Sequence, residues 1–167
     1  MEYRRKLDIE KVKNFISAQS EETKFYLGAD SVRFKMGGVW YADYTVVLVA
    51  HFDGKHGAKI FGEITRERDY DSKKDKPALR LMNEIYKLSE LFQKLRPVLV
   101  DRYFELHMDL NPDIKHGSSC VIQQAIGYIK GTCNVVPMVK PESWAASFSA
   151  DRYETISWAD GFEEKIA

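Results

Sequence analysis

Hydrophobic and polar residues are spaced along the first part of the chain as expected for one helix followed by three strands. After Asp8 the apolar positions recur with a helical period, which predicts a capped helix over residues 8–19. Residues 24–34, 39–52 and 58–65 are then rich in β-branched and aromatic side chains, and glycine-containing turns separate them. Strands joined by such short turns form an antiparallel meander.

Helical and strand patterns alternate in the rest of the chain. Apolar residues at spacings of three and four predict a long helix that begins near Pro77 and ends before Pro97. Residues 102–111 alternate strictly between apolar and polar side chains, which predicts a half-buried strand. The remaining segments predict a helix at 118–130, a strand at 133–139 and a helix at 141–153, whereas the charged residues 66–76 are most simply a solvated loop.

This order of elements predicts an α/β fold built on a five-stranded mixed sheet. Three meandering strands, plus two parallel strands reached through helices, give a sheet with helices packed on it. A right-handed crossover brings the fourth strand beside the first. The arrangement resembles the ribonuclease H-like fold. No linker or repeat divides the sequence, so we expect residues 1–167 to form one domain, with the 8–19 helix as an addition.

Two aspartates lie where this topology would bring strand ends together. Asp30 closes the apolar part of the first meander strand, after two small residues, and Asp109 closes the fourth strand. If these strands are parallel neighbours, the two carboxylates come close enough to share a metal ion. Neighbouring carboxylates repel each other unless a cation lies between them, and Mg²⁺ or Mn²⁺ is the natural occupant.

Three further residues are candidates for the same site. Glu84 lies at the margin of the apolar stripe of the long helix, and Asp151 lies on the packed side of the last helix. His107 shares the polar face of the fourth strand with Asp109 and could move protons or support a ligand. Each also has a simpler interpretation: Glu84 as a helix-surface residue, Asp151 as the partner of an arginine, and His107 as a sheet residue bonded to the backbone.

The overall charge excludes bulk attraction to nucleic acid as the organising principle, but it leaves room for a local basic patch. The chain has 25 Lys and Arg residues against 25 Asp and Glu residues, so its formal net charge is zero. A basic run near the start of the Glu84 helix is the best candidate for contact with phosphate: Lys73, Lys74, Lys76 and Arg80. The same run is equally typical of a solvated loop.

The sequence favours a protein of the cell interior. The N-terminus is basic but has no apolar segment behind it, and the longest strongly apolar run is far too short to cross a bilayer. Cys120 and Cys133 are more simply small core residues than a redox or metal pair. We therefore expect a soluble, cytoplasmic protein with reduced thiols and no membrane contact.

Several short motifs carry a resemblance to a known family. They are GADS at residues 28–31, ELHMD at residues 105–109, and the block 126–153 with its KPxSxxAS core; the segment RLMNE, which ends in Glu84, matches more loosely. In these motifs the chain resembles the YkuK-type ribonuclease H-like proteins, which are regarded as predicted nucleases. The resemblance implies Asp30, Asp109 and Glu84 as metal ligands, and Asp151 as a weaker candidate.

Together these features predict a Mg²⁺- or Mn²⁺-dependent nuclease that hydrolyses RNA, DNA or a hybrid by a two-metal-ion mechanism. Asp30 and Asp109 would hold the ions, Glu84 would bind one of them and orient water, and Asp151 or His107 would assist.

Two other functions remain open at this point. One is a non-catalytic module that binds nucleic acid or protein and has kept the fold without the reaction. The other is a helper subunit that exposes the aromatic residues Trp40, Tyr41 and Tyr44 to a partner, although such residues more often pack within a sheet.

Overall fold

A mixed sheet with helices over one face is the frame of the protein. The computed structural model describes residues 1–54, 57–71, 78–113, 121–146 and 165–166. The elements, in chain order, are β1 Glu2–Arg5, α1 Ile9–Ala18, β2 Lys24–Met36, β3 Val39–His51, a single 3-10 turn Phe52–Gly54, β4 Ala58–Arg68, α2 Ala78–Leu99, β5 Phe104–Met108, α3 Ile122–Cys133 and β6 Lys165–Ile166.

The strand order of the sheet is β1-β4-β3-β2-β5, and the short β6 pairs with β4. The meander β2–β3–β4 is antiparallel, whereas β5 runs parallel to β2. The predicted α/β fold with a five-stranded mixed sheet is therefore confirmed, including the crossover that brings the fourth predicted strand beside the first.

The identity of the edge strands differs in detail from the prediction. The segment 133–139, predicted as a second parallel strand, makes only one parallel bridge, between Met138 and His107 of β5. Pro137 immediately before this bridge has no N–H group, so it cannot extend a ladder. At the other side of the sheet, the N-terminal β1 supplies a fifth strand that the sequence pattern did not suggest.

Strand alternation divides the side chains of the sheet between two faces. Phe25, Leu27 and Ala29 of β2 belong to the main core beneath the helices. Tyr26 lies on the opposite face, where Val47 and Val49 of β3 form a smaller cluster with the C-terminal segment. Asp30 follows the register of Tyr26 and Gly28, so it belongs to this second face.

The helices agree with the sequence pattern except at their ends. The side chain of Asp8 accepts a hydrogen bond from Lys11 N (3.1 Å) and caps α1, as predicted. Pro97 was expected beyond the end of α2 but lies inside its last turn, because Leu95 and Leu99 on either side are fully buried and their packing outweighs the hydrogen bond that proline cannot make. None of the helices in the described ranges has the length and apolar character needed to cross a membrane.

Two buried aspartates anchor the start of α2. The Asp71 carboxylate accepts hydrogen bonds from Leu79 N (3.1 Å) and Arg80 N (2.8 Å), and so satisfies free amides of the first helical turn. Asp69 pairs with Arg33 of β2 at 2.6 Å. The segment 66–76 was expected to be a solvated loop; its described part instead completes β4 and holds α2 against the sheet.

The C-terminal segment lies directly on Gly28. A Cβ atom added at Gly28 would lie 2.5 Å from the carbonyl carbon of Ala145 and 2.5 Å from the amide nitrogen of Ala146. Residue 28 therefore has to be glycine because another backbone occupies the space of a side chain.

We expect Gly28→Ala to lower the free energy of unfolding by about 1–3 kcal/mol, because overpacking forces one backbone away from the other. Gly127→Ala is the matched control. Gly127 lies on the exposed side of α3 with open space around its Cα. Alanine there should therefore raise the free energy of unfolding by about 0.5–1 kcal/mol. Urea denaturation measures both, and equal stability of the Gly28 variant and the wild type would contradict the close packing.

Candidate active site

The parallel pairing of β2 and β5 brings Asp30 and Asp109 to the same level. The last paired residues are Ala29 and Met108, and each aspartate is the next residue of its chain. Leu106, Met108 and Leu110 lie in the main core, so Asp109 continues the opposite face, on which Asp30 also lies. Asp30 was predicted to close its strand, and this was wrong, because β2 continues to Met36 with β3 as its partner.

Glu84 is the third carboxylate and approaches from α2. It is 2% exposed. Its Oε1 accepts a short hydrogen bond from Ser31 Oγ, next to Asp30 in the sequence. The other oxygen, Oε2, is buried and has no hydrogen-bond partner among the described residues. A buried carboxylate oxygen without a partner is costly, so this atom marks the position as a functional candidate.

The pKa of Glu84 depends on its burial and on the charges of the other two carboxylates. Burial raises the pKa of Glu84 well above its usual value, and the charges of Asp30 and Asp109 raise it further. The Ser31 hydrogen bond and the charge of Arg80 oppose this rise. Asp30 and Asp109 thus lie near enough to act electrostatically on Glu84, and Glu84 is buried rather than on the helix surface.

Lys140 contacts Asp109, another of the three carboxylates. Its Nζ lies 2.7 Å from Oδ1 of Asp109. The lysine side chain is 40% exposed and the aspartate side chain 17% exposed, so the pair lies at the border of the solvent. The carboxylates of Asp30, Glu84 and Asp109, which we call the carboxylate cluster, therefore already have one cation in direct contact.

His107 is completely buried, and both of its ring nitrogens have partners. Nδ1 accepts a hydrogen bond from Ala145 N (3.0 Å), which leaves Nε2 to donate to Glu105 Oε2 (2.7 Å). The ring packs against Tyr26 and Trp144. Burial lowers the pKa of His107, although Glu105 opposes the shift. This environment favours the interpretation of His107 as a neutral residue that fixes the C-terminal segment to β5.

The cluster fits a divalent cation by its chemistry, but it is not closed around one. Carboxylate oxygens are the ligands that Mg²⁺ and Mn²⁺ prefer, and Glu84 Oε2 lacks any other partner in the described structure. However, in the residues that the structure describes, no three His, Cys, Asp or Glu side chains already form a group that could hold a metal ion. Lys140 on Asp109 and Ser31 on Glu84 take up part of the available oxygen atoms.

The other predicted site residues have different outcomes. Asp151, Lys73, Lys74 and Lys76 lie outside the described residues. Arg80 is described, and its guanidinium is largely buried, with Nη1 4.0 Å from Asp69 Oδ2. It therefore lies between the anchor of α2 and the carboxylate cluster rather than on an open basic surface.

Sequence reasoning missed two residues of this region, and it left open an exposed position for a third that the structure buries. Ser31 and Lys140 both lie in the motifs GADS and KPxSxxAS, so the motifs pointed to them without giving their partners. Tyr44, proposed as one of the aromatics exposed to a partner, is instead 2% exposed, and its hydroxyl accepts from Asn83 Nδ2 (3.2 Å). The helper-subunit alternative loses that residue.

Comparison with known proteins supplies a family. The model of a family described as ribonuclease H-like matches residues 8–155 of the chain. This range includes every residue of the carboxylate cluster and Lys140. No curated protein and no solved structure gives a significant match.

We expect Glu84→Gln to become more stable relative to the wild type as the pH rises. A carboxyl whose pKa is raised by folding contributes its full stability at pH values below its pKa in the unfolded state. This contribution is lost as the pH rises towards its pKa in the folded state. Each pH unit between these two pKa values lowers the free energy of unfolding of the wild type by about 1.4 kcal/mol. Urea denaturation in EDTA, from about pH 5 to about pH 8, should therefore show the difference growing.

Glu22→Gln, at an exposed position, is the control and should follow the wild type throughout. A constant difference between Glu84→Gln and the wild type across this pH range would show that the buried carboxyl does not titrate as described.

Proposed function

The chain belongs to the ribonuclease H-like family, and from this premise we propose that it is a metal-dependent nuclease that hydrolyses phosphodiester bonds of nucleic acid. Family membership by itself indicates a nuclease or nucleic-acid-binding role. The motifs that resemble the YkuK-type proteins support a finer assignment to that type. They contact one another in space, since Gly28 lies under Ala145 and His107 bonds to the amide of the same residue.

One observation carries the proposal of metal dependence. Glu84 is a fully buried carboxylate with an unpartnered oxygen in the described structure, and it interacts with both Asp30 and Asp109. A fold that needed only a nucleic-acid surface would gain nothing from burying one acid within the electrostatic influence of two others. Catalytic sites, in contrast, are where such repulsion is commonly retained.

The residues of the cluster would divide the work as follows. Asp30, Asp109 and Glu84 would hold Mg²⁺ or Mn²⁺, which lowers the pKa of bound water and stabilises the leaving oxygen. Ser31 donates a hydrogen bond to one oxygen of Glu84, and the other oxygen has no hydrogen-bond partner among the described residues. Asp151 remains a proposed fourth acid. The number of ions predicted from the sequence is two.

Contact with the nucleic acid is proposed to come from Lys73, Lys74 and Lys76. These lysines follow Asp71, which is bonded to the first turn of the helix that carries Glu84. Arg80 lies near Asp69, so its positive charge would act on the carboxylate cluster from a distance rather than by direct contact with phosphate.

A second candidate function is a nucleic-acid-binding module without catalysis. It is favoured by the ion pair between Lys140 and Asp109, which gives one of the acids a partner within the protein. Cleavage and its dependence on metal distinguish the two candidates.

We expect the purified protein to cleave members of a labelled panel of RNA, DNA and hybrid oligonucleotides with Mn²⁺, and not with EDTA. Asp30→Asn should reduce the rate by more than the roughly 10–100-fold that loss of a mere supporting partner costs at a metal site. Asp101→Asn, an exposed aspartate in the turn before β5, is the control and should keep the wild-type rate. Cleavage that survives Asp30→Asn would refute the assignment.

We also expect the double variant Lys73→Gln/Lys74→Gln to bind nucleic acid with a weaker salt dependence. For every phosphate that these lysines neutralise, their removal should reduce the slope of log K against log salt concentration by about 0.7–0.9. Lys130→Gln on the exposed side of α3 is a control of equal charge change per site and should leave the slope unchanged. Filter binding at several salt concentrations with Asp30→Asn as background gives the slopes without cleavage. An unchanged slope would remove these lysines from the interface.

A further inference from the structure

The hairpin of β2 and β3 extends past the carboxylate cluster. β2 pairs with β3 as far as Met36 and Val39, next to the connecting turn, whereas its pairing with β5 ends at Ala29. We call residues 32–41, beyond that end, the hairpin tip. A polymer that is bound at the carboxylate cluster and continues along the sheet would meet this tip, which carries an exposed tryptophan, Trp40.

Strand alternation places Trp40 on the face of the sheet that leads back to Glu84. Trp40 is directly opposite Lys35 in the β2–β3 register, and Arg33 and Ser31 follow on the same face of β2. The hydroxyl of Ser31 donates to Glu84. Lys35 is four residues from Ser31, so Trp40 lies about 13 Å along the strand from the residue that contacts the carboxylate cluster.

Two cations contact the ring of Trp40 and leave part of it open to solvent. The guanidinium carbon of Arg33 lies 4.1 Å from the ring centre, and Lys35 Nζ lies 5.7 Å from it. Arg33 is itself held by the carboxylate of Asp69 (2.6 Å) and by the carbonyl oxygen of Asp71 (2.8 Å). Trp40 nevertheless remains 40% exposed. The ring is therefore an apolar surface at the solvent that rests on a fixed cation.

The charges around Trp40 favour an anionic partner. Lys35 is exposed, and no carboxylate pairs with it in the described part of the chain. Glu67, on the same face, is balanced by Lys87 at 3.3 Å. Residues 69–80, taken together with Arg33 and Lys35, contain six positive and three negative side chains: Arg33, Lys35, Lys73, Lys74, Lys76 and Arg80 against Asp69, Asp71 and Asp75. This part of the sequence is thus basic, although the whole chain is neutral.

We propose that Trp40 stacks on a base of single-stranded nucleic acid, with Lys35 beside the phosphate backbone. The bases of a single strand are free to stack on an aromatic ring, whereas those of a duplex already stack on one another. A purely apolar protein surface would match the ring but not the excess of positive charge around it. This inference rests on the proposed contact with nucleic acid and narrows the substrate to a strand that is unpaired at the hairpin tip.

The test compares two single strands of equal length and charge, oligothymidylate and the same backbone with abasic sites. Binding is measured by fluorescence anisotropy in EDTA, which prevents the proposed metal-dependent cleavage. Trp40→Ala should weaken binding of oligothymidylate about 5–150-fold, the equivalent of the roughly 1–3 kcal/mol that a stacked base contributes. Binding of the abasic strand should not change, because it has no base to stack. A merely structural role of Trp40 would weaken the binding of both strands alike.

Three further variants serve as controls. Trp40→Phe keeps an aromatic ring and should retain the preference for oligothymidylate, but it should lose the quenching of tryptophan fluorescence that this strand causes in the wild type. Tyr86→Ala removes a ring of similar exposure (42%) from α2 and should match the wild type on both strands. Lys35→Gln should weaken binding of both strands equally, because a phosphate contact does not depend on the base.

The outcomes separate this inference from the proposed function. Metal-dependent cleavage together with an unchanged affinity of Trp40→Ala for oligothymidylate would overturn the stacking and leave the nuclease assignment intact. Equal weakening on both strands would also overturn it. Selective loss of oligothymidylate binding without any cleavage would support the stacking and favour the non-catalytic candidate. Failure of the wild type to bind either strand would overturn this inference and the proposed contact with nucleic acid together.

Discussion

The parallel pairing of β2 with β5 is the constraint on which the site depends. Its register ends at Ala29 and Met108, so the backbone pairing brings the two aspartates that follow to the same level. A shift of this register by one residue would send the alternate side chains to opposite faces and separate the acids. Backbone hydrogen bonds and the apolar core beneath β5 therefore supply the free energy that keeps like charges close together.

The C-terminal segment depends on the same pairing. It is held by the bridge at Met138, by the absence of a side chain at Gly28, and by the hydrogen bond from Ala145 to His107. These contacts lie on the face of the sheet opposite the main core. A positioning role requires a neutral histidine with both ring nitrogens bonded, as His107 is. This bonding also explains why His107, two residues from Asp109, has no free nitrogen for proton transfer.

Much of the fold could be predicted from sequence, because it follows from the spacing of apolar residues and from the rules for connections between strands. Alternation in β5 and the stripe of α2 located Asp109 and Glu84, and handedness placed β5 beside β2. The contact of Lys140 with Asp109 could not be predicted, since it depends on a single bridge where a full strand was expected. Asp69 and Asp71 were also missed, because a run of charges is normally solvated and their partners, Arg33 and the amides of α2, are distant in sequence.

The hydrogen bonds between Asp71 and the first turn of α2 have a consequence for how this family can diversify. They join Asp71, shortly after β4, to the first turn of α2, and so they help to orient the helix that carries Glu84. Lengthening a closed loop is inexpensive, about 0.6 kcal/mol for each doubling. An insertion between Asp71 and Leu79 is therefore expected to leave the position of Glu84 unchanged.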